Sequence, residues 1–222
     1  MGSVTIGLDV NEKREFTTIA VAQREEREAT NGKSEVHHVV RHLERLSEGS
    51  YPDVPARVAE IVNGVPRPTG KYPPRLFLYV NVTDVGTPVL DVLRHAGVQA
   101  HLMSAFLTHD QERDEDEKDR EVRLGRAWLV TRLEALLTTG RLHLPGTAAA
   151  KALAQELRDY ENGDDRSGSL VTALGLAVQV DRRGGWVGKI ITFGGPGSEN
   201  PYRNPIADRA VREWLDGLSR SW

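Results

Sequence analysis

The chain has 222 residues, of which 39% are hydrophobic and 27% charged, with a formal net charge of −3 and no cysteine. This composition is typical of a globular protein with one sizeable domain, or one domain with an extension. The lack of cysteine excludes disulfides and thiolate zinc sites. No stretch approaches the roughly 20 apolar residues of a membrane helix, and the N-terminus lacks a signal-peptide pattern. We therefore expect a cytoplasmic protein with no membrane partner.

The first half of the chain predicts a β-rich region followed by a βαβ unit. Strands are predicted in residues 4–9, 16–23, 35–46, 75–80 and 98–103, and helices in residues 51–62 and 88–96. The second run follows the first at hairpin distance, so these two strands should be antiparallel. Residues 24–32 are charged and predict a turn, and the run 35–46 predicts a strand with a loop. The strand–helix–strand order of residues 75–103 predicts parallel pairing.

The second half predicts mostly helices. Residues 110–120 contain seven acidic and three basic side chains, which favours a solvated loop; DNA mimicry, cation binding or contact with a basic protein are the alternatives. Helices are predicted in residues 122–138, 147–160, 167–180 and 207–218, with a strand-like run in 187–193. The helix 167–180 is apolar on every side, which indicates burial against the sheet.

Two apolar runs end in short polar side chains. Residues 6–9 end at Asp9, and residues 78–81 end at Asn81. In a parallel sheet the ends of neighbouring central strands form the usual crevice for ligands. We therefore expect Asp9 and Asn81 to mark a cleft between adjacent strands.

Two stretches resemble motifs of the nuclease domain of phage large terminases, which has a ribonuclease H-like fold. Residues 7–17 (GLDVNEKREFT) resemble the first motif, in which an aspartate ends a strand and an acid precedes an aromatic residue and a threonine. Residues 81–97 (NVTDVGTPVLDVLRHAG) resemble the second, in which an aspartate precedes a threonine–glycine turn and a helix. Residues 122–144, 156–160 and 170–177 resemble the segments that follow. The resemblance covers roughly residues 4–180 and does not include the ATPase domain of a packaging motor.

The terminase resemblance implies three metal-binding carboxylates, and this sequence keeps one of them. Asp9 stands at the first position, Asn81 at the second, and Ser169, next to Gly168, at the third. Glu15 matches a further acid of the family. Mg²⁺ and Mn²⁺ prefer anionic oxygen ligands, so two uncharged replacements should weaken metal binding. The resemblance then implies a catalytically impaired domain that binds nucleic acid or protein, or has a structural role, in a phage- or prophage-derived system.

An active enzyme is the alternative. A displaced acidic cluster would then hold Mg²⁺ or Mn²⁺ in a two-metal DNA endonuclease, with the candidate catalytic residues Asp9, Glu15, Asp84 and Asp165. Asp84 falls in a predicted turn, and Asp165, with Asp164 before it, near a helix entry, where aspartate is also common for structural reasons.

Three histidines fall in the third predicted strand, at His37, His38 and His42. Neighbouring residues of a strand point to opposite faces of the sheet. We therefore expect surface histidines rather than a transition-metal site.

These observations predict an α/β protein with a ribonuclease H-like mixed central sheet flanked by helices. Residues 1–180 would form this domain, and residues 181–222 a basic C-terminal extension that could dock in a larger assembly. The expected partners are double-stranded DNA and other phage-type or host protein subunits. No cofactor is expected unless the domain is active.

Overall fold

The computed structural model describes residues 3–10, 16–28, 32–47, 53–65, 76–108, 113–116, 120–161 and 168–179. The predicted extension 181–222 lies outside the described residues, as do the candidate site residues Glu15 and Asp165.

Within these ranges the chain forms eight strands and five helices. The strands are β1 (Val4–Asp9), β2 (Phe16–Glu28), β3 (Ser34–Ser47), β4 (Phe77–Asn81), β5 (His101–Thr108), β6 (Arg113–Asp116), β7 (Glu121–Gly125) and β8 (Leu142–His143). The helices are α1 (Asp53–Gly64), α2 (Pro88–His95), α3 (Arg126–Thr138), α4 (Ala148–Glu161) and α5 (Ser169–Ala177). Among the described helices, none has the length and apolar character needed to cross a membrane.

The strands form one mixed sheet in the order β6-β7-β5-β4-β1-β2-β3-β8. Strand β2 pairs antiparallel with both β1 and β3, whereas β4 pairs parallel with both β1 and β5. The predicted hairpin and the predicted parallel βαβ unit are therefore confirmed. Because β1 lies between β2 and β4, its carboxyl end falls in the middle of the sheet.

Helices cover both faces of the sheet, as the α/β prediction requires. On one face, Ile6 and Leu8 of β1 pack in a core with Val58 and Val62 of α1, to which α2 also contributes. Helices α3, α4 and α5 cover the other face. All nine residues of α5 are buried, which confirms the predicted burial of the last apolar helix.

Gly7 allows α5 to lie directly on β1. A Cβ atom at this position would stand 2.0 Å from the carbonyl oxygen of Ala173 and 2.8 Å from the amide nitrogen of Ala177. Only a residue without a side chain permits such a close approach of strand and helix backbones. Asp9 is two residues further along β1, so its side chain faces the same side of the sheet as α5.

The predicted helix 122–138 was wrong in its first part. Residues Glu121–Gly125 form β7, which extends the sheet parallel to β5, and the helix begins at Arg126. Val122 and Leu124 are buried while Arg123 between them is exposed, so this segment follows a period of two. The open edge of β5 provides a hydrogen-bonding partner that a local helical pattern cannot reveal.

Other boundaries differ for the same reason. Residues 24–28 of the predicted turn 24–32 form strand instead, because β2 and β3 pair as far as Glu28 and Ser34. Strand β3 runs without a loop to Ser47, and β5 covers 101–108 rather than 98–103. Part of the acidic run also differs, since Arg113–Asp116 forms β6 against β7. In each case a neighbouring strand supplies backbone partners that outweigh local turn propensity.

Candidate functional site

Asp9 and Asn81 lie side by side at the ends of the parallel strands β1 and β4. They are directly paired in the strand register. Both are buried, with 2% of Asp9 and 3% of Asn81 exposed. The Asn81 side chain donates a hydrogen bond from Nδ2 to Oδ1 of Asp9 at 2.6 Å. The cleft expected from the sequence is therefore occupied by a direct contact between these two side chains.

The orientation of the Asn81 amide is fixed by its other partners. Its Oδ1 accepts hydrogen bonds from the backbone N–H and from the hydroxyl group of Thr83, at 3.1 and 2.7 Å. Because a backbone N–H can only donate, the amide oxygen must face Thr83 and the NH₂ group must face Asp9. The Thr83 hydroxyl in turn accepts from the backbone N–H of Leu107 in β5, at 2.8 Å. A hydrogen-bond chain thus links β1, β4 and β5.

Ser169 approaches the same sheet edge from the first turn of α5. Thr18 is paired with Asp9 across β1 and β2, and its hydroxyl group donates to Oγ of Ser169 at 2.8 Å. Thr18 is fully buried and Ser169 is 5% exposed. The structure therefore gathers Asp9, Asn81 and Ser169 at one edge of the sheet, with a threonine hydroxyl between the strand and the helix.

Glu156 of α4 contributes a carboxylate that sequence reasoning missed as a site residue. Its Oε2 accepts hydrogen bonds from the backbone N–H groups of Leu170 and Val171, both at 3.0 Å, and its Oε1 forms an ion pair with Arg45 of β3. It thereby satisfies the N-terminus of α5, where the N-cap residue Gly168 makes no side-chain cap hydrogen bond.

Gly168 leaves room for this carboxylate. A Cβ atom at Gly168 would lie 1.7 Å from Cδ of Glu156. The start of α5 has no capping side chain at Gly168, and this was the signal that another residue supplies the cap. The negative charge at this helix end therefore comes from α4 rather than from α5 itself.

We expect Glu156→Ala to lower the free energy of unfolding by about 2 kcal/mol, because two backbone donors and Arg45 lose a charged acceptor. Chemical denaturation of both proteins measures the difference. Gln155→Ala, on the exposed side of the same helix, is the matched control and should change stability by less than about 0.5 kcal/mol. Equal losses in the two variants would contradict the capping role.

These residues do not fit a pair of Mg²⁺ or Mn²⁺ ions. Such ions take anionic oxygen ligands, yet the Asn81 group that faces Asp9 is a donor, and Ser169 is bonded to Thr18. Across the described ranges, no three His, Cys, Asp or Glu side chains are placed so that they could hold a metal ion. Asp84 is exposed in the turn after β4. Glu15, Asp164 and Asp165 lie outside the described residues.

The histidines of β3 point to opposite faces, as strand geometry requires. The expected surface position is wrong for His38, which is buried with 2% exposed and faces Arg132 of α3. His37 contacts His143 of β8 on the other face, and His42 bonds to Glu44. The three do not converge on a common point that a transition metal could occupy.

No family model and no curated relative matches this sequence. Among solved structures, the chain is similar to the human cytomegalovirus terminase nuclease domain (Mn soaked), with 12% identity, a TM-score of 0.50, and coverage of 79% of this chain and 82% of that chain. Another structure of that domain gives a TM-score of 0.46 at 14% identity, over 79% of this chain and 82% of that chain. Thermus thermophilus RuvC gives 0.37 at 16% identity, over 78% of this chain and 90% of that chain. The fold is ribonuclease H-like and resembles a terminase nuclease domain.

Proposed function

We propose that this protein is a terminase nuclease-like domain that has lost efficient two-metal catalysis. It acts as a component of a phage- or prophage-derived system, in which it binds nucleic acid or protein or has a structural role. The observation that carries the proposal is the hydrogen bond from the Asn81 amide to Asp9, at the place where the resemblance implies a second carboxylate.

The chemistry explains why this contact matters. In two-metal cleavage, two ions about 3.5–4 Å apart activate the attacking water and stabilise the leaving oxygen. They need several anionic oxygens, and here the carboxylate of Asp9 is engaged by an amide donor. The third position offers a hydroxyl group that is bonded to Thr18. Hydrogen bonds therefore take over the role that metal–carboxylate contacts would have in holding this edge of the sheet together.

Double-stranded DNA is the proposed nucleic-acid partner, because the fold resembles a domain described as a terminase nuclease domain. Other phage-type or host protein subunits are the proposed protein partners. The strongly acidic run 110–120 would repel phosphate, so a DNA surface would lie away from that segment.

Incubation of the purified protein with plasmid DNA and Mn²⁺ tests the loss of catalysis. We expect supercoiled plasmid to remain intact for wild type and for Asp9→Ala alike. Robust cleavage by wild type that Asp9→Ala abolishes would contradict the proposal, because it would require a working metal centre around Asp9.

Cleavage would instead support the alternative, an active endonuclease with a displaced cluster. In that case each of Glu15, Asp84 and Asp165 would supply a charged metal ligand. The single variants Glu15→Gln, Asp84→Asn and Asp165→Asn should then each reduce the rate of DNA cleavage. Asp91→Asn in α2 is the control, since its exposed carboxylate pairs with Arg94 on the same helix.

Fluorescence anisotropy with a labelled DNA duplex separates the two kinds of partner. A DNA-binding role predicts an affinity that falls steeply as salt is raised, because phosphate contacts release counterions. Absence of binding at low salt would leave a protein partner or a structural role as the function.

A further inference from the structure

The short strand β8 is attached to a much longer one. Its ladder to β3 pairs Leu142 with His38 and His143 with Val39, whereas β3 has 14 residues. The backbone N–H of His38 also donates to the carbonyl oxygen of Arg141 at 2.7 Å. So short a ladder contributes little by itself, and side chains on the two faces of the sheet must hold β8 in place.

On one face, the imidazole of His143 is a hydrogen-bond acceptor. Its Nε2 lies 3.1 Å from Nη1 of Arg27 and 2.9 Å from Nδ1 of His37, and the two imidazole rings stack with centroids 5.2 Å apart. A guanidinium group can only donate, so Nε2 of His143 must carry a lone pair and the ring must be neutral. His37 then donates from Nδ1 to the same atom.

On the opposite face, His38 is held neutral in a positively charged surrounding. It is directly opposite Arg24 in the register of β2 and β3, and its Nε2 lies 3.5 Å from Nη2 of Arg132. Since the Arg132 guanidinium must donate, Nε2 of His38 also acts as an acceptor. Where β8 joins β3, a neutral imidazole therefore lies on each face of the sheet, His143 on one face and His38 on the other.

The surroundings disfavour protonation of both rings. Burial first, and then nearby positive charges, lower the pKa of His38 from 6.5 to about 3. The charged and titratable groups around His38 are Arg132, Arg24, Arg141 and His37. Burial, then Arg27 and His37, also lower the pKa of His143, with Glu25 acting in the opposite direction. Arg41 shares the Glu25 carboxylate with Arg27, so that single acid is already paired twice.

We propose that β8 is a proton-sensitive latch, in which the neutral imidazoles of His143 and His38 hold Leu142–His143 against β3 and acidification releases this strand from the sheet edge. The first proton on His143 turns Nε2 into a donor that faces the donors of Arg27. Protonation of His38 places a second charge on the other face of the sheet, beside Arg132.

Acidification should weaken the attachment of β8, because the pKa values of His38 and His143 are lowered in the folded protein. A histidine whose folded-state pKa lies below its unfolded value binds fewer protons when folded, so the attachment of β8 is fully stable above about pH 6.5 and weakens as pH falls below it. Both rings contribute to this loss from about pH 6.5 downward, and the contribution of His38 continues to grow until about pH 3.

Hydrogen–deuterium exchange of the full chain, corrected for the intrinsic pH dependence of exchange, measures the latch. Between about pH 7.5 and pH 5 we expect protection of the β8 peptide to fall about tenfold or more, relative to the peptide covering α5. His143→Gln should reduce this fall and leave only the part that comes from His38, because glutamine keeps an acceptor for Arg27 but does not titrate. His95→Gln, at an exposed position on α2, is the matched control and should behave like wild type.

An undiminished pH response in His143→Gln, or no response in wild type, would overturn the latch. If His143→Gln loses protection of β8 at about pH 7.5 as well, an NMR titration of wild type decides. The His143 imidazole and the amides of Leu142 and Val39 must then titrate with one midpoint below the ordinary histidine value. Separate midpoints would also overturn the proposal.

Discussion

Gly7→Ala is expected to lower the free energy of unfolding by about 3 kcal/mol or more, which makes it the most damaging single-methyl change on β1. The new Cβ would lie 2.0 Å from the backbone carbonyl oxygen of Ala173, and a backbone atom cannot move aside as a flexible side chain would. Helix α5 would have to lift from the sheet, which would also separate Ser169 from Thr18. Urea denaturation measures the loss.

Gly64→Ala is the matched control for this substitution. A Cβ atom there meets nothing within 4 Å, at the last residue of α1. We expect this variant to be neutral or slightly more stable, because alanine restricts the unfolded chain more than glycine does. A Gly7→Ala protein as stable as Gly64→Ala would show that α5 does not rest on β1 in the way described.

Asn81→Asp is the second substitution with a large expected effect. It replaces the amide donor that lies 2.6 Å from Asp9 by a carboxylate, in a buried setting. Repulsion between two adjacent carboxylates should lower the free energy of unfolding by about 2–4 kcal/mol near pH 7.5, and mild acid should relieve part of this loss. Thermal unfolding in metal-free buffer at two pH values measures both effects.

Added metal should reverse the loss. Two adjacent carboxylates provide the charge that Mn²⁺ requires, so its binding should raise the melting temperature of Asn81→Asp in a concentration-dependent way. Wild type should not respond, and neither should Asn63→Asp, which makes the same change at an exposed asparagine. If Mn²⁺ stabilises wild type as much as Asn81→Asp, the amide does not prevent metal binding and the proposed loss of catalysis fails.

The hydrogen bonds around Asp9 and Ser169 suit a fold that persists without metal. Buried carboxylates that approach each other are costly unless a cation or hydrogen-bond donors compensate them. Here Asn81 compensates Asp9, Thr18 bonds to Ser169, and Glu156 is paired with Arg45 and two backbone donors. The edge of the sheet is thus held by hydrogen bonds and one ion pair.

Several features could be predicted because their causes are local. Strands β1 and β4 are apolar runs whose last four residues are all buried, so both of their faces are covered. Their polar ends, Asp9 and Asn81, lie at adjacent strand ends as expected. The all-round apolar character of α5 likewise determined its burial, since no polar face was present to meet water. The order of these elements, together with the resemblance of residues 7–17 and 81–97 to terminase nuclease motifs, indicated the ribonuclease H-like fold.

Other features were decided only by the tertiary structure. Whether residues 121–125 become strand or helix depends on the open edge of β5, and the amide of Asn81 takes its orientation from Thr83 and Asp9. Thr18 and Ser169 are 151 residues apart, and Glu156 reaches α5 from another helix. Local sequence determines which backbone conformation is favourable, but the partner of a buried polar group is chosen by whichever distant side chain the fold brings within hydrogen-bond distance.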